Sequence, residues 1–174
     1  MSLTITNSVN TLPWNENSAN RWGKRALSRI KKIVIHQALG TKTAIDTNAY
    51  CISKENHTKP GVGLPHIAYH FFIDMPNGEI HQCNAYDNLT WHVKGHNTIS
   101  LGVCLGGFFD YGSTKGRDHK PTLQQLTSLD FLINYLMDKF SINIENVFAH
   151  GELQTKPSCP GATILEFLNT KRKK

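Results

Sequence analysis

Two stretches of the chain are apolar almost without interruption. IVIHQA, which follows Lys32, and ISLGVCLGG, residues 99–107, are rich in branched apolar residues. Such runs predict strands covered on both faces, because a half-exposed strand would alternate apolar with polar. HIAYHFFID, residues 66–74, predicts a further strand. MPNG then supplies turn residues and EIHQC, residues 79–83, predicts the return strand of a hairpin. INIENVFAH predicts a strand that ends at His150.

The helical period is clearest between residues 121 and 140. Leu126, Leu129, Ile133, Leu136 and Phe140 recur at i, i+3, i+7, i+10 and i+14, which predicts an amphipathic helix with Pro121 in its first turn. A helix is also expected from Thr43 to about His57, and ATILEFLN predicts a short closing helix. TKPGVGLP (58–65), residues 84–98 and FFDYGSTKGRDHK are loops by their Gly, Pro and polar content. Residues 1–23 read as an irregular arm that Trp14 and Trp22 pin to the body. Strands joined by both a hairpin and crossovers predict an α/β fold: a single domain with a central mixed β-sheet flanked by helices. The expected organisation is an arm over 1–29, the domain over 30–170 and a basic tail, KRKK, over 171–174.

Composition narrows the picture without deciding it. The chain has 174 residues, 39% of them hydrophobic and 18% charged, which suits one globular domain and excludes a disordered chain. No apolar run approaches the roughly 20 residues of a membrane helix. The N-terminal segment lacks a basic start and apolar h-region, so cytoplasmic synthesis without a signal peptide is expected. A formal net charge of +6 favours polyanions, such as nucleic acid, an anionic membrane face or an anionic cell wall. Nothing reads as a nucleic-acid motif, and Gly102, Gly106 and Gly107 form no phosphate loop because no Lys-Ser/Thr follows. Cys51, Cys83, Cys104 and Cys159 include no CxxC pair, so a disulfide framework is not expected, and Cys51 and Cys104 read as small buried hydrophobes.

The chemistry lies in the placement of histidines. His36 ends one apolar run and His150 ends another, so both emerge at strand ends, where open α/β sheets build their sites. Cys159 follows His150 after a polar loop. Two imidazoles and a thiolate make a His₂Cys set that leaves one position of a tetrahedral zinc open, as a catalytic ion requires and a structural one does not. Trp91, beside His92, is either a sugar-stacking platform or loop packing. His66, His81, His96 and His119 read as surface or hydrogen-bonding groups. His70 alternates to the strand face opposite Tyr69.

The segments KKIVIHQA, HIAYHFFID, WHVKGHN, ISLGVCLGG and VFAHGELQTKPSCPG stand in the order found in zinc-dependent N-acetylmuramoyl-L-alanine amidases. The chain resembles the T7-lysozyme-like branch, which is similar to peptidoglycan recognition proteins (PGRPs), over about residues 30–168. The resemblance implies an amidase/PGRP-like fold and one Zn²⁺ per chain on His36, His150 and Cys159. It also implies catalytic roles for Tyr69 and Lys156 and a substrate-groove role for His92. Cys159 stands nine positions after His150 where family members commonly have eight, so Lys156 precedes it by three residues rather than two. The implied activity is hydrolysis of the amide between N-acetylmuramic acid and L-alanine in peptidoglycan, by a monomer acting on the cell wall after holin-type or other non-signal release. Three alternatives stay open: a non-catalytic muropeptide-binding module, a cytosolic muropeptide-recycling amidase, and a domain with a structural zinc.

Overall fold

The computed structural model describes residues 3–18, 21–56, 58–109, 120–154 and 159–173. Among the described residues eight strands form in chain order: β1 (Ile5–Asn7), β2 (Gly23–Lys24), β3 (Lys32–Gln37), β4 (Phe71–Ile73), β5 (Ile80–Gln82), β6 (Asn88–Leu89), β7 (Ser100–Leu105) and β8 (Val147–Ala149). Four α-helices accompany them: α1 (Ala44–Ile52), α2 (Leu123–Phe140), α3 (His150–Leu153) and α4 (Ala162–Arg172). Six strands make one mixed sheet in the order β1-β5-β4-β7-β3-β8. The β4–β5 hairpin is its antiparallel pair, and the other neighbours run parallel. The small strands β2 and β6 pair separately.

The two continuous apolar runs become β3 and β7, central neighbours with six residues in register. Each is buried on both faces, but the faces differ. Ile33, Ile35, Leu101, Val103, Leu105, Phe71, Ile73 and Val147 pack beneath α2 and α4 with Leu129, Leu132, Ile133, Leu136, Ile164 and Leu168. The alternate positions, among them His36, Gly102, Cys104 and Phe72, turn to the opposite face, where Cys51, Leu64, Ile67 and Trp22 cover the smaller second core. The polar and small members of the apolar runs thus mark the face that carries the chemistry.

Several elements differ from expectation for identifiable reasons. Only 71–73 of the expected strand 66–74 joins the ladder. Residues before it are paired by side-chain amides instead: Asn48 Oδ1 accepts from Ile67 N, and Asn84 Nδ2 donates to the carbonyls of Ile67 and Tyr69. Helix α1 stops at Ile52 rather than near His57 because the following loop folds back beneath it. Leu64 N donates to Cys51 O, and a Cβ at Gly63, whose φ is +80°, would meet Ile52 O at 2.2 Å. In α2, Thr122 is the N-cap and shares a capping box with Gln125, so Pro121 lies just outside the helix rather than in its first turn.

The two chain ends are also more integrated than an arm and a tail. β1 extends the main sheet, and His81 secures it through Ser8 Oγ at 3.0 Å. Trp14 stacks on His66 at 4.6 Å, and Trp22 is buried against Trp91. At the other end Lys171 and Arg172 belong to α4. They pair with Asp130 and Glu152, each at 2.7 Å, so these residues of KRKK are not a solvated tail. All four cysteines are free thiols. Among the described residues no helix is long and apolar enough to cross a membrane.

Arg25 ties the loop between β6 and β7 to the backbone on either side of it. Only 8% exposed, its guanidinium donates to the carbonyls of Tyr86, Asn97 and Ser100. Burial lowers its pKa to about 10, with Asp87 opposing that shift, so it stays charged at neutral pH. Arg25→Met strands those carbonyls, and the expected loss is about 3 kcal/mol of unfolding free energy, measured by urea denaturation. A loss below about 0.5 kcal/mol, the range of ordinary surface substitutions, would show that the loop does not depend on this side chain.

Candidate functional site

β3 and β8 are adjacent and parallel, so their C-terminal ends open at the same edge of the sheet. His36 is the penultimate residue of β3, and His150 follows β8 directly as the first residue of α3. Their rings lie 4.5 Å apart between centroids. Cys159 is brought to them by a backbone bond, Gly151 N donating to Cys159 O at 2.7 Å. One donor atom from each of His36, His150 and Cys159 can be chosen so that all three lie within 4.8 Å of one another. Among the described residues, no fourth side chain joins that group.

The electrostatics suit a cation. Burial, followed by the neighbouring rings of His92 and His150, holds His36 well below the usual histidine range, so it is neutral with a lone pair to offer. Burial pushes the Cys159 thiol up to about 11. A thiolate there needs a positive charge beside it, which a bound metal ion supplies.

Tyr69, His92 and Trp91 lie around this group. The Tyr69 ring centroid is 5.1 Å from that of His36. Burial, reinforced by Cys104, Cys51 and Cys159, raises its hydroxyl well above the usual tyrosine range, so it is a phenol. His70 does not turn away from the site as strand alternation predicted: its ring packs against that of His92 at 5.9 Å between centroids, and its Nδ1 accepts from Gly102 N at 3.1 Å. His92 is buried, with Nδ1 at 3.1 Å from His36 Nε2 and Nε2 at 3.3 Å from Ser100 Oγ. Both of its ring nitrogens are therefore already engaged. Trp91 is 42% exposed, with its edge against Trp22 and the Lys59 ammonium 5.2 Å from its ring. Lys156 and His119 lie outside the described residues. A hollow of about 400 Å³ opens beside His150, lined by Trp91, His92, Lys94, Asn97 and Gln154 among others.

The chain matches the model of the N-acetylmuramoyl-L-alanine amidase family over residues 26–162, which takes in all three donors. The chain belongs to that family. It is 28% identical over 104 residues to an endolysin of Enterobacteria phage K11, a match spanning 60% of this chain and 65% of that endolysin. Among solved structures it is similar to the amidase LysC of Clostridium intestinale URNW, at 24% identity and a TM-score of 0.71, covering 99% of each chain. It is also similar to the Ph2119 endolysin of the Thermus scotoductus MAT2119 bacteriophage, at 17% identity and a TM-score of 0.70, covering 97% of this chain and 99% of that one. PGRP-LE, solved in complex with tracheal cytotoxin, has 19% identity and a TM-score of 0.72, covering 95% of this chain and 92% of that one. These structural likenesses establish the mixed α/β amidase/PGRP fold.

Gly102, Asn97, Gln154 and Arg25 support the site without any motif that singles them out. Gly102 shows why. A Cβ there would meet the His92 ring at 2.7–2.8 Å, so the imidazole sits directly on the β7 backbone. This requirement exists only once β7 and the 84–98 loop are stacked. Gly102→Ala is expected to displace His92 at a cost of about 1–3 kcal/mol, the usual range for overpacking. Thermal or urea unfolding would measure it. A fully stable variant with His92 ring signals unshifted in NMR spectra would contradict the packing described.

Proposed function

We propose that the chain is a zinc-dependent N-acetylmuramoyl-L-alanine amidase that cleaves the amide between the lactyl group of muramic acid and L-alanine in peptidoglycan. The observation that carries this reading is the three-donor cluster of His36, His150 and Cys159 beside an open hollow. The donor set fits zinc. Bonds of 2.0–2.1 Å to nitrogen and 2.3 Å to sulfur put tetrahedral donors roughly 3.5 Å apart, so donors within 4.8 Å need move little to close on one ion. A zinc ion in this set supplies a Lewis acid for the scissile carbonyl and a means of acidifying water at neutral pH.

The protein's own residues do the rest. The Tyr69 phenol donates to the carbonyl oxygen as negative charge develops there. Lys156 adds a cation to the same oxygen. Trp91 gives an apolar ring face at the rim of the hollow on which a sugar can stack. Net charge of +6 draws the protein to an anionic wall. The endolysin relative supports a lytic role after release from the cytoplasm, by one copy acting alone.

The runner-up is a module that holds muropeptides without cutting them, a reading favoured by the likeness to PGRP-LE bound to tracheal cytotoxin. The complete donor set argues against it, since a pure binder has no use for an open metal position.

Digestion of purified sacculi followed by mass spectrometry is expected to show new L-alanine amino termini, no new reducing ends, and no reaction with chelator. New reducing ends would make the enzyme a glycosidase, and binding without cleavage would make it a recognition module. Metal analysis is expected to find about one zinc per chain, lost in Cys159→Ala. Tyr69→Phe should keep its zinc while turnover falls roughly 10²–10³-fold, as for loss of one oxyanion donor. Unchanged turnover would reduce Tyr69 to packing.

A further inference from the structure

The hydrogen bonds behind the donor cluster have a direction, and the direction can be traced from its fixed ends. Ser100 Oγ donates its single hydrogen to His96 O at 2.8 Å. Toward His92 Nε2, at 3.3 Å, Ser100 can then only accept. His92 Nε2 therefore carries a proton. The neighbours His36, Ser100 and Gly102 bring no negative charge, so the buried ring is neutral and its Nδ1 is bare. That bare nitrogen faces His36 Nε2 at 3.1 Å, so His36 is the donor, with its proton on Nε2 and its lone pair on Nδ1.

His150 has a separate chain with the same outcome. Gln154 Nε2 donates to Lys94 O at 3.3 Å, which orients the amide. Gln154 Oε1 then faces His150 Nε2 at 3.0 Å and can only accept. His150 also holds its proton on Nε2 and offers Nδ1. Both chains run into one segment, which provides the His92 ring and the Lys94 carbonyl. The segment is itself pinned by Asn97 Oδ1, which accepts from His92 N and Val93 N. The same segment lines the hollow.

We propose that His92 and Gln154 are positioning residues that lock His36 and His150 in the tautomer presenting Nδ1 to the metal, and that the 91–97 loop, which receives substrate, is thereby the common outer support of both ligands. This gives His92 a role toward His36 in place of one toward substrate. The proposal rests on the metal reading above, and its tests read metal binding rather than amide cleavage.

The test uses the full chain with ¹⁵N-labelled histidine, with and without zinc. Long-range proton–nitrogen correlation is expected to show His36 and His150 both protonated at Nε2 and metallated at Nδ1. Coordination through Nε2 of either ring would overturn the proposal and leave the metal reading intact, whereas a chain that binds no zinc would overturn both. Chelator competition provides the second measurement. His92→Phe and Gln154→Leu, which remove the acceptors, are expected to weaken zinc binding about 10–100-fold, the usual cost of losing an outer-shell partner. His92→Asn, whose Oδ1 takes the place of Nδ1, and Gln154→Glu should recover most of it, a rescue that simple packing would not give. Unchanged affinity in folded His92→Phe and Gln154→Leu would overturn the proposal. Should His92→Phe fail to fold, the wild-type spectrum still decides.

Discussion

The structure depends first on the parallel adjacency of β3 and β8. More than a hundred residues separate His36 from His150 along the chain. Three register pairs, from Ile33–Val147 to Ile35–Ala149, bring the two strand ends together. Because the strands run the same way, both imidazoles emerge at one edge. An antiparallel pairing would send them to opposite ends of the sheet. Cys159 then needs only a short return, closed by its carbonyl on Gly151 N. The buried β7–β3–β8 ladder is thus the scaffold of the donor cluster, and rigid elements hold such geometry better than loops do.

The same sheet explains how relatives with different tasks share this architecture. The face packed against α2 and α4 is a conventional apolar core with little room for variation. The other face carries His36, Gly102 and Cys104 from strands that look uniformly apolar in sequence. Chemistry can change there without disturbing the main core. A fold shared with amidases and with a peptidoglycan recognition protein is therefore compatible with both cutting and holding, and the side chains at the sheet edge separate the two.

Much of this was legible in the chain because it rests on periodicity. The β3 and β7 runs, the β4–β5 hairpin and α2 follow from residue patterns alone, and so does the emergence of His36 and His150 at strand ends. What was not legible depends on partners distant in sequence. Nothing in HIAYHFFID says that Asn48 and Asn84 will replace ladder bonds before Phe71. Nothing around Ile52 says that Leu64 N will claim the Cys51 carbonyl. The position of His92 was legible but its surroundings were not, because its contact with His36 needs the bare backbone of Gly102, and that approach exists only in three dimensions.

Arg25 and Trp22 lie before residue 26, where the family match begins, yet both brace the loop that carries Trp91 and His92. The functional unit is therefore larger than the stretch by which its kinship is detected. A chimera joined at that boundary would inherit His36, His150 and Cys159 while losing the struts behind them. Crossovers between relatives belong ahead of Trp22, so that the graft travels with its own foundation.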